Sequence, residues 1–136
     1  IGQIKNPDLR KMIYNFYKKK GFKFPNIISK FSHVSKNSKL GDGILIGHGA
    51  VINAFSKIGS NCIINNQSLI EHDVEIGKNC HVSTGVVING SVKIGSNTFI
   101  GSGSIIRESI KIGNNCVVGS GLIIKKDIKP LSILKK

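Results

Sequence analysis

KIGSNCIINNQSLIEHDVEIGKNC, residues 57–80, closes on almost the same six residues with which it opens, and the fold turns on that return. Inside it Ile58, Ile64, Ile70 and Ile76 fall six apart. Carried outward, the same step runs from Ile28 through Val34, Leu40, Ile46 and Ile52, and on to Ile112, Val118 and Ile124. Seventeen successive hexads keep an aliphatic residue at the first place, with no insertion. A period of six is neither the helical 3.6 nor a two-residue alternation, so it marks a repeat architecture.

A second period, of eighteen, lies on the first. Gly41, Gly59, Gly77, Gly95 and Gly113 follow the aliphatic residue of every third hexad, and Gly43, Asn61, Asn79, Asn97 and Asn115 come two places later. Gly and Asn tolerate positive φ, so these positions read as stacked left-handed turns. Three hexads then make one coil of three short strands and three turns. Coils pair in parallel about 4.8 Å apart, so about six of them build a rod roughly 27 Å long. Cys62, Cys80 and Cys116 each take the fifth place of a hexad, where Ala50, Ser56 and Val74 also fall, and should point inward as core. They lack metal-ligand spacing, and a reducing cytoplasm is their simplest setting.

The bulk properties narrow the partners. With 136 residues the chain has room for one domain with a real core, and it carries no 18-residue apolar run or signal-peptide pattern. No membrane span is expected. Basic residues outnumber acidic ones by 20 to 7, a net charge of +13, which favours anionic partners such as phosphates and nucleotides. Aromatics are 6% of the chain and do not interleave with a basic face, which argues against nucleic acid. The first residue is Ile1, not Met, and an upstream part is expected.

Residues 1–27 stand outside the repeat. KNPDLRKMIYNFYKKKG (5–21) reads as a helix with Asn6 as N-cap, Pro7 in the first turn and Gly21 just past the end. Leu9, Met12, Ile13, Phe16 and Tyr17 form one apolar face, to be covered by the first coil or a further domain. Lys18, Lys19 and Lys20 suit the negative end of the helix dipole. Ile1-Gly2 looks like the end of a strand.

Hexads of the type Ile-Gly-x-x-Cys/Ser-x resemble the left-handed parallel β-helix of hexapeptide-repeat acyltransferases, over about residues 28–129. GFKFPNII (21–28) running into the repeat, then NNQSLIEHD (65–73) and HVS (81–83), are similar to one branch: sugar O- and N-acetyltransferases related to sialic acid O-acetyltransferase, with the bacillosamine-pathway and perosamine N-acetyltransferases. The handedness comes from this resemblance, since general crossover rules favour the right hand. It implies an all-β solenoid of about six triangular coils, preceded by one α-helix and a strand left from an α/β domain. Residues 1–27 would be the C-terminal remnant of that substrate-binding domain, and 28–136 the acetyl-CoA-binding β-helix.

The histidines come last. His72 falls in a turn at a prism corner, which suits a solvated polar residue. Asp73 beside it can fix its tautomer and raise its basicity. The resemblance implies that His72 is the general base and Asp73, here the shorter acid, its orienter; Glu71 is expected to bond locally. His81 lies nine residues on, half a coil away, at a different edge of the rod. One chain cannot bring both to one acetyl group. The homotrimer that the resemblance implies, with sites between adjacent rods, would set His72 beside a neighbour's His81, the cofactor-contacting histidine. Gly90, Gly101, Ser102, Gly119 and Ser120 match positions lining the pantetheine arm, although any single glycine also suits plain turn chemistry. GSGS at 101–104 lacks the strand–loop–helix context of a nucleotide fingerprint. Asn65 matches a sugar-contacting position. His33 and His48 read as surface residues.

Lys39, Lys57, Lys93, Lys111 and Lys129, with Glu75 between, lie in register along one edge, a solvated stripe or an attractor of phosphates; Lys125 and Lys126 are alternatives. The implied reaction is direct acetyl transfer from acetyl-CoA to a sugar, an amine favoured over a hydroxyl, with a nucleotide-linked amino sugar of surface-glycan synthesis as acceptor. Sialic acid O-acetylation is the alternative within the family. Outside it stand a non-catalytic basic binding module and a zinc carbonic anhydrase-like protein. The latter needs three converging histidines and a close pair that is missing here, so no metal is expected.

Overall fold

The structure, a computed structural model, describes residues 7–135. Each hexad becomes a two-residue strand followed by a corner, and every third strand joins the same sheet. Sheet A has seven strands, from Ile27–Ile28 through His81–Val82 to Ile133–Leu134. Sheet B has six, from His33–Val34 to Ile123–Ile124, and sheet C five, from Lys39–Leu40 to Lys111–Ile112. All pairings are parallel, and His81 stands between Ile63 and Phe99, each eighteen residues away. The solenoid of about six turns is the left-handed β-helix that the repeat implies.

The second residue of each strand points inward. Ile46, Ile64, Val82, Ile100 and Val118 from sheet A meet Ile52, Ile70, Ile88 and Ile106 from sheet B and Ile58, Ile76, Ile94 and Ile112 from sheet C, all buried. Full burial of one such side chain contributes about 1.5–3 kcal/mol, so the prism, not the helix, carries the stability. The fifth places are buried as well, with Cys62, Cys80, Thr98 and Cys116 in one column. They do more than fill space. The Cys62 and Cys80 thiols donate to the Gly77 and Gly95 carbonyls at 3.1 Å, and the Thr98 hydroxyl donates to Gly113 at 2.9 Å. Burial pushes the Cys62 thiol well above its ordinary pKa.

Left-handed backbone recurs at all three corners. At the corner between sheets C and A it falls on Gly43, Asn61, Asn79, Asn97 and Asn115, the column read from the sequence. Their amides form a ladder: Asn61 Nδ2 donates to Asn79 Oδ1 at 2.8 Å, Asn79 to Asn97 at 3.1 Å, and Asn97 to Asn115 at 3.0 Å. The column at Gly41, Gly59, Gly77, Gly95 and Gly113 differs from expectation, because none of these has positive φ. A Cβ there would meet the next coil at 2.4–2.7 Å, so close stacking of coils explains these glycines.

The last coil is shorter by two residues: Ile112 bridges Ile128, and Val117 pairs with Ile133. Lys129 therefore leaves the lysine column, and Asp127 takes the place next to Lys111, accepting its backbone N–H at 2.8 Å. The remaining lysines form the outer face of sheet C, not an edge of the prism. Pro130 seals this coil, its nitrogen 2.4 Å from where a Cβ on Gly113 would stand.

Helix α1 spans Asp8–Lys19, with Pro7 at the N-cap position, one place outside the helix, and Gly21 just beyond its end at φ +83°. The expected cap Asn6 and strand end Ile1-Gly2 lie outside the described residues. The first coil covers little of the apolar face. Leu9, Met12, Phe16 and Tyr17 are exposed, while Arg10, Ile13 and Tyr14 face the prism. Polar contacts hold the helix: Arg10 donates to the carbonyls of Asn61 and Asn79, the Tyr14 hydroxyl to Asp42 at 2.6 Å, and Lys18 pairs with Asp42. Lys18, Ser60 and Tyr14 together hold the Asp42 carboxyl below the usual carboxylate range.

Candidate active site

His72 and Asp73 sit at the corner between Leu69–Ile70 of sheet B and Glu75–Ile76 of sheet C. Asp73 takes the left-handed position, φ 59°, and its N–H donates to the Ala54 carbonyl at 3.1 Å. That bend brings its carboxylate Oδ2 to 2.9 Å from His72 Nδ1. Nδ1 thus carries its hydrogen toward the carboxylate, and Nε2 is the nitrogen left to accept a proton. Both side chains stand more than half exposed, open to a substrate. Glu71 bonds locally, its Oε2 accepting from Asn53 Nδ2 at 3.0 Å.

Gly90, expected to line a cofactor arm, lies one coil on from His72 and under its ring. A Cβ on Gly90 would come within 2.8 Å of His72 Cε1. The Ser91 N–H donates to the His72 carbonyl at 3.0 Å, fixing the same contact from the backbone side. Gly90 is therefore the seat of the imidazole.

Gly101, Ser102, Gly119, Ser120 and Asn65 belong to the other flank of sheet B, its corner with sheet A. Gly101 is closed over by the next coil, with Gly119 and Ser120 backbone 2.6 Å from its Cβ position. Ser102 and Ser120 are exposed, and Ser102 Oγ lies 2.8 Å from Ser83 Oγ. Asn65 Oδ1 accepts the Asn66 N–H at 2.8 Å, a turn contact. His81, on sheet A, is buried and edge-on to Phe99, with ring centroids 5.3 Å apart. Within one chain the structure keeps His72, Asp73 and Gly90 at one corner and the other expected site residues away from it. His33 is exposed on sheet B, and His48 packs its ring against Phe31. Among the described residues no group of three or more His, Cys, Asp or Glu comes together, and no helix is long and apolar enough to cross a membrane.

The outward residues of sheet B from the second coil onward, Val51, Leu69, Val87, Ile105 and Ile123, are all aliphatic. The corresponding residues of sheet C are Lys39, Lys57, Glu75, Lys93 and Lys111. Reading the residue before each core aliphatic, every eighteen places, separates a greasy face from a charged one.

Residues 55–90 match the family model of the bacterial transferase hexapeptide (six repeats), and residues 91–126 match that of the hexapeptide repeat of succinyl-transferase. No curated protein matches the chain significantly by sequence. The fold and the repeat thus define a hexapeptide-repeat β-helix. Among solved structures of this class the chain is similar to sugar acetyltransferases. PerB from Caulobacter crescentus, in complex with CoA and GDP-perosamine, is 31% identical over 93% of this chain and 61% of that one, with TM-score 0.91. A variant of perosamine N-acetyltransferase from the same organism, also with CoA and GDP-perosamine, gives 29% identity over 96% and 62%, with TM-score 0.93. The acetyltransferase domain of PglB from Neisseria gonorrhoeae, in complex with acetyl coenzyme A, gives 28% over 96% and 63%, with TM-score 0.93. The chain spans about three-fifths of the length of each.

Proposed function

We propose that the chain transfers acetyl from acetyl-CoA to the amine of a nucleotide-linked sugar, with His72 as general base and Asp73 as its orienter. The observation that carries this reading is the His72–Asp73 pair at 2.9 Å, seated on Gly90 at an open corner. The acceptor nitrogen attacks the thioester carbonyl carbon, His72 Nε2 takes the amine proton, the C–S bond breaks, and the proton passes to the CoA thiolate. Acid–base help of this kind is worth about 10²–10⁴-fold. A backbone N–H, or His81 of a second copy, supplies the oxyanion donor, typically worth about 10²–10³-fold. The similar structures support the donor and the acceptor class, since they hold CoA with GDP-perosamine, or acetyl coenzyme A.

The site is completed by a second protomer. Sheet B presents an aliphatic face flanked by two corners, one with His72 and Gly90, the other with Asn65, Gly101, Ser102, Gly119 and Ser120. Three parallel prisms with sheet B turned to a common axis bring the first corner of one against the second corner of the next. In that homotrimer the pantetheine arm runs between corners, past Ser102 and Ser120, and Asn65 meets the acceptor sugar. Helix α1 and the segment to residue 27 belong, on this reading, to the end of an α/β acceptor-binding unit covering Leu9, Met12 and Phe16, and the protein works in the cytoplasm.

The test is His72→Ala, assayed by calorimetric titration with CoA and by acetyl transfer to UDP- and GDP-amino sugars and to sialic acid. CoA binding is retained and transfer to the amino sugars falls by at least 10²-fold. Unchanged turnover in a folded variant removes His72 from the role, and transfer to sialic acid alone moves the assignment to a hydroxyl acceptor.

A further inference from the structure

Sheet C carries a feature that acetyl transfer at the His72 corner does not use. Its outer face is a shallow trough of about 920 Å³, floored by the stacked glycines of the Gly41 column. One bank is the strand column Lys39, Lys57, Glu75, Lys93 and Lys111. Lys39 is in register with Lys57, and Lys93 with Lys111, so like charges lie directly opposite one another, an arrangement that costs stability. Glu75 offsets only the middle, at 3.3 Å from Lys57 and 3.7 Å from Lys93.

The far half of the trough is lined by Lys78, Lys93, Lys111, Ser96 and Asn114, with Lys78 on the Glu75 coil, one coil before Lys93. Ser96 Oγ accepts the Lys78 backbone N–H at 3.1 Å, and Asn114 Oδ1 accepts the Ser96 N–H at 2.7 Å. Their acceptor atoms are thus engaged, and the Ser96 hydroxyl hydrogen and Asn114 amide hydrogens remain to donate. Asp127, the nearest carboxylate at that end, accepts the Lys111 backbone N–H. Three lysines and two neutral donors therefore line a floor without side chains.

We infer that this half-trough is a site for the diphosphate of a nucleotide. Rungs about 4.8 Å apart set Lys93 and Lys111 at a separation that two linked phosphates bridge, one to each ammonium. Lys78 closes from the opposite bank, and the glycine floor lets the phosphates approach the backbone. An extended polymer is disfavoured because Glu75 interrupts the column halfway. The inference rests on the charges of sheet C alone and stands or falls independently of acetyl transfer. Two sources share the chemistry, CoA itself and the nucleotide of an acceptor sugar.

The test is calorimetric titration of the full chain with inorganic pyrophosphate at physiological salt, followed by competition with CoA and with GDP. The double variant Lys93→Gln/Lys111→Gln should lose at least tenfold in pyrophosphate affinity. A charge-matched control on helix α1, Lys19→Gln/Lys20→Gln, should stay within twofold. The sheet C variant should melt no lower than the unaltered chain, since a repulsive pair has been removed. Displacement by CoA assigns the diphosphate to the donor, and displacement by GDP to the acceptor. Equal loss in both variants, displacement by neither nucleotide, or no binding by the unaltered chain overturns the inference.

Discussion

The imidazole of His72 is gripped from two directions, by the Asp73 carboxylate at Nδ1 and by the backbone of Gly90 beneath the ring. The second grip makes a sharp prediction. Gly90 has an ordinary backbone conformation, so Gly90→Ala strains nothing locally, yet its Cβ would arrive 2.8 Å from His72 Cε1 and must push the ring aside. Displacement on the order of 1 Å of a catalytic group costs about 10²-fold in rate. Steady-state kinetics should show kcat falling by that order with CoA affinity kept, and thermal melting should be little changed. A fall in melting temperature that matches the lost activity would instead make Gly90 a folding residue. Adjacency of His72 and Asp73 was readable in the chain. The seat was readable too, because 72 and 90 differ by one period of eighteen.

Corners and columns are the elements of this fold, and the asparagine ladder is the clearest of them. Asn79 holds φ 60° while its amide donates to Asn97 and its oxygen accepts from Asn61. Asn79→Ala forces a Cβ-bearing residue without local hydrogen bonding into the left-handed region and removes both ladder bonds, a loss on the order of 2 kcal/mol. Asn79→Gly removes the bonds but keeps the conformation, and should cost about half as much in denaturant unfolding. Equal costs would show that conformation is not what the column supplies. The strands, the inward aliphatics and this ladder were legible because each repeats at a fixed interval. The docking of helix α1 was not, because it depends on Arg10, Tyr14 and Lys18 finding carbonyls and a carboxylate far along the chain. An apolar periodicity cannot announce a polar latch. Nor can a period announce its own failure, which is why Lys129 read as a member of the lysine column.

The whole prism presents three unlike faces: an aliphatic sheet B, a lysine-rich sheet C, and a sheet A partly covered by the helix and the segment behind it. The trimer proposed above depends on the first. Ile105→Asp sets a carboxylate on that face without touching the core, since Ile105 points outward and Ile106 inward. Analytical ultracentrifugation should find monomers with an unchanged circular dichroism spectrum, and acetyl transfer should be lost because each site needs two protomers. Active monomers would dissolve the shared-site reading.

Along the corner that leaves sheet C, backbone donors are met by a side chain from the coil beyond: Asp42 by Ser60, Lys78 by Ser96, Ser96 by Asn114. Each layer of that kind asks for another. Pro130 has no N–H to offer, so at the final layer the request is withdrawn. Along this corner Pro130 leaves no N–H for a further coil to satisfy, and head-to-tail fibres lose one of their footholds.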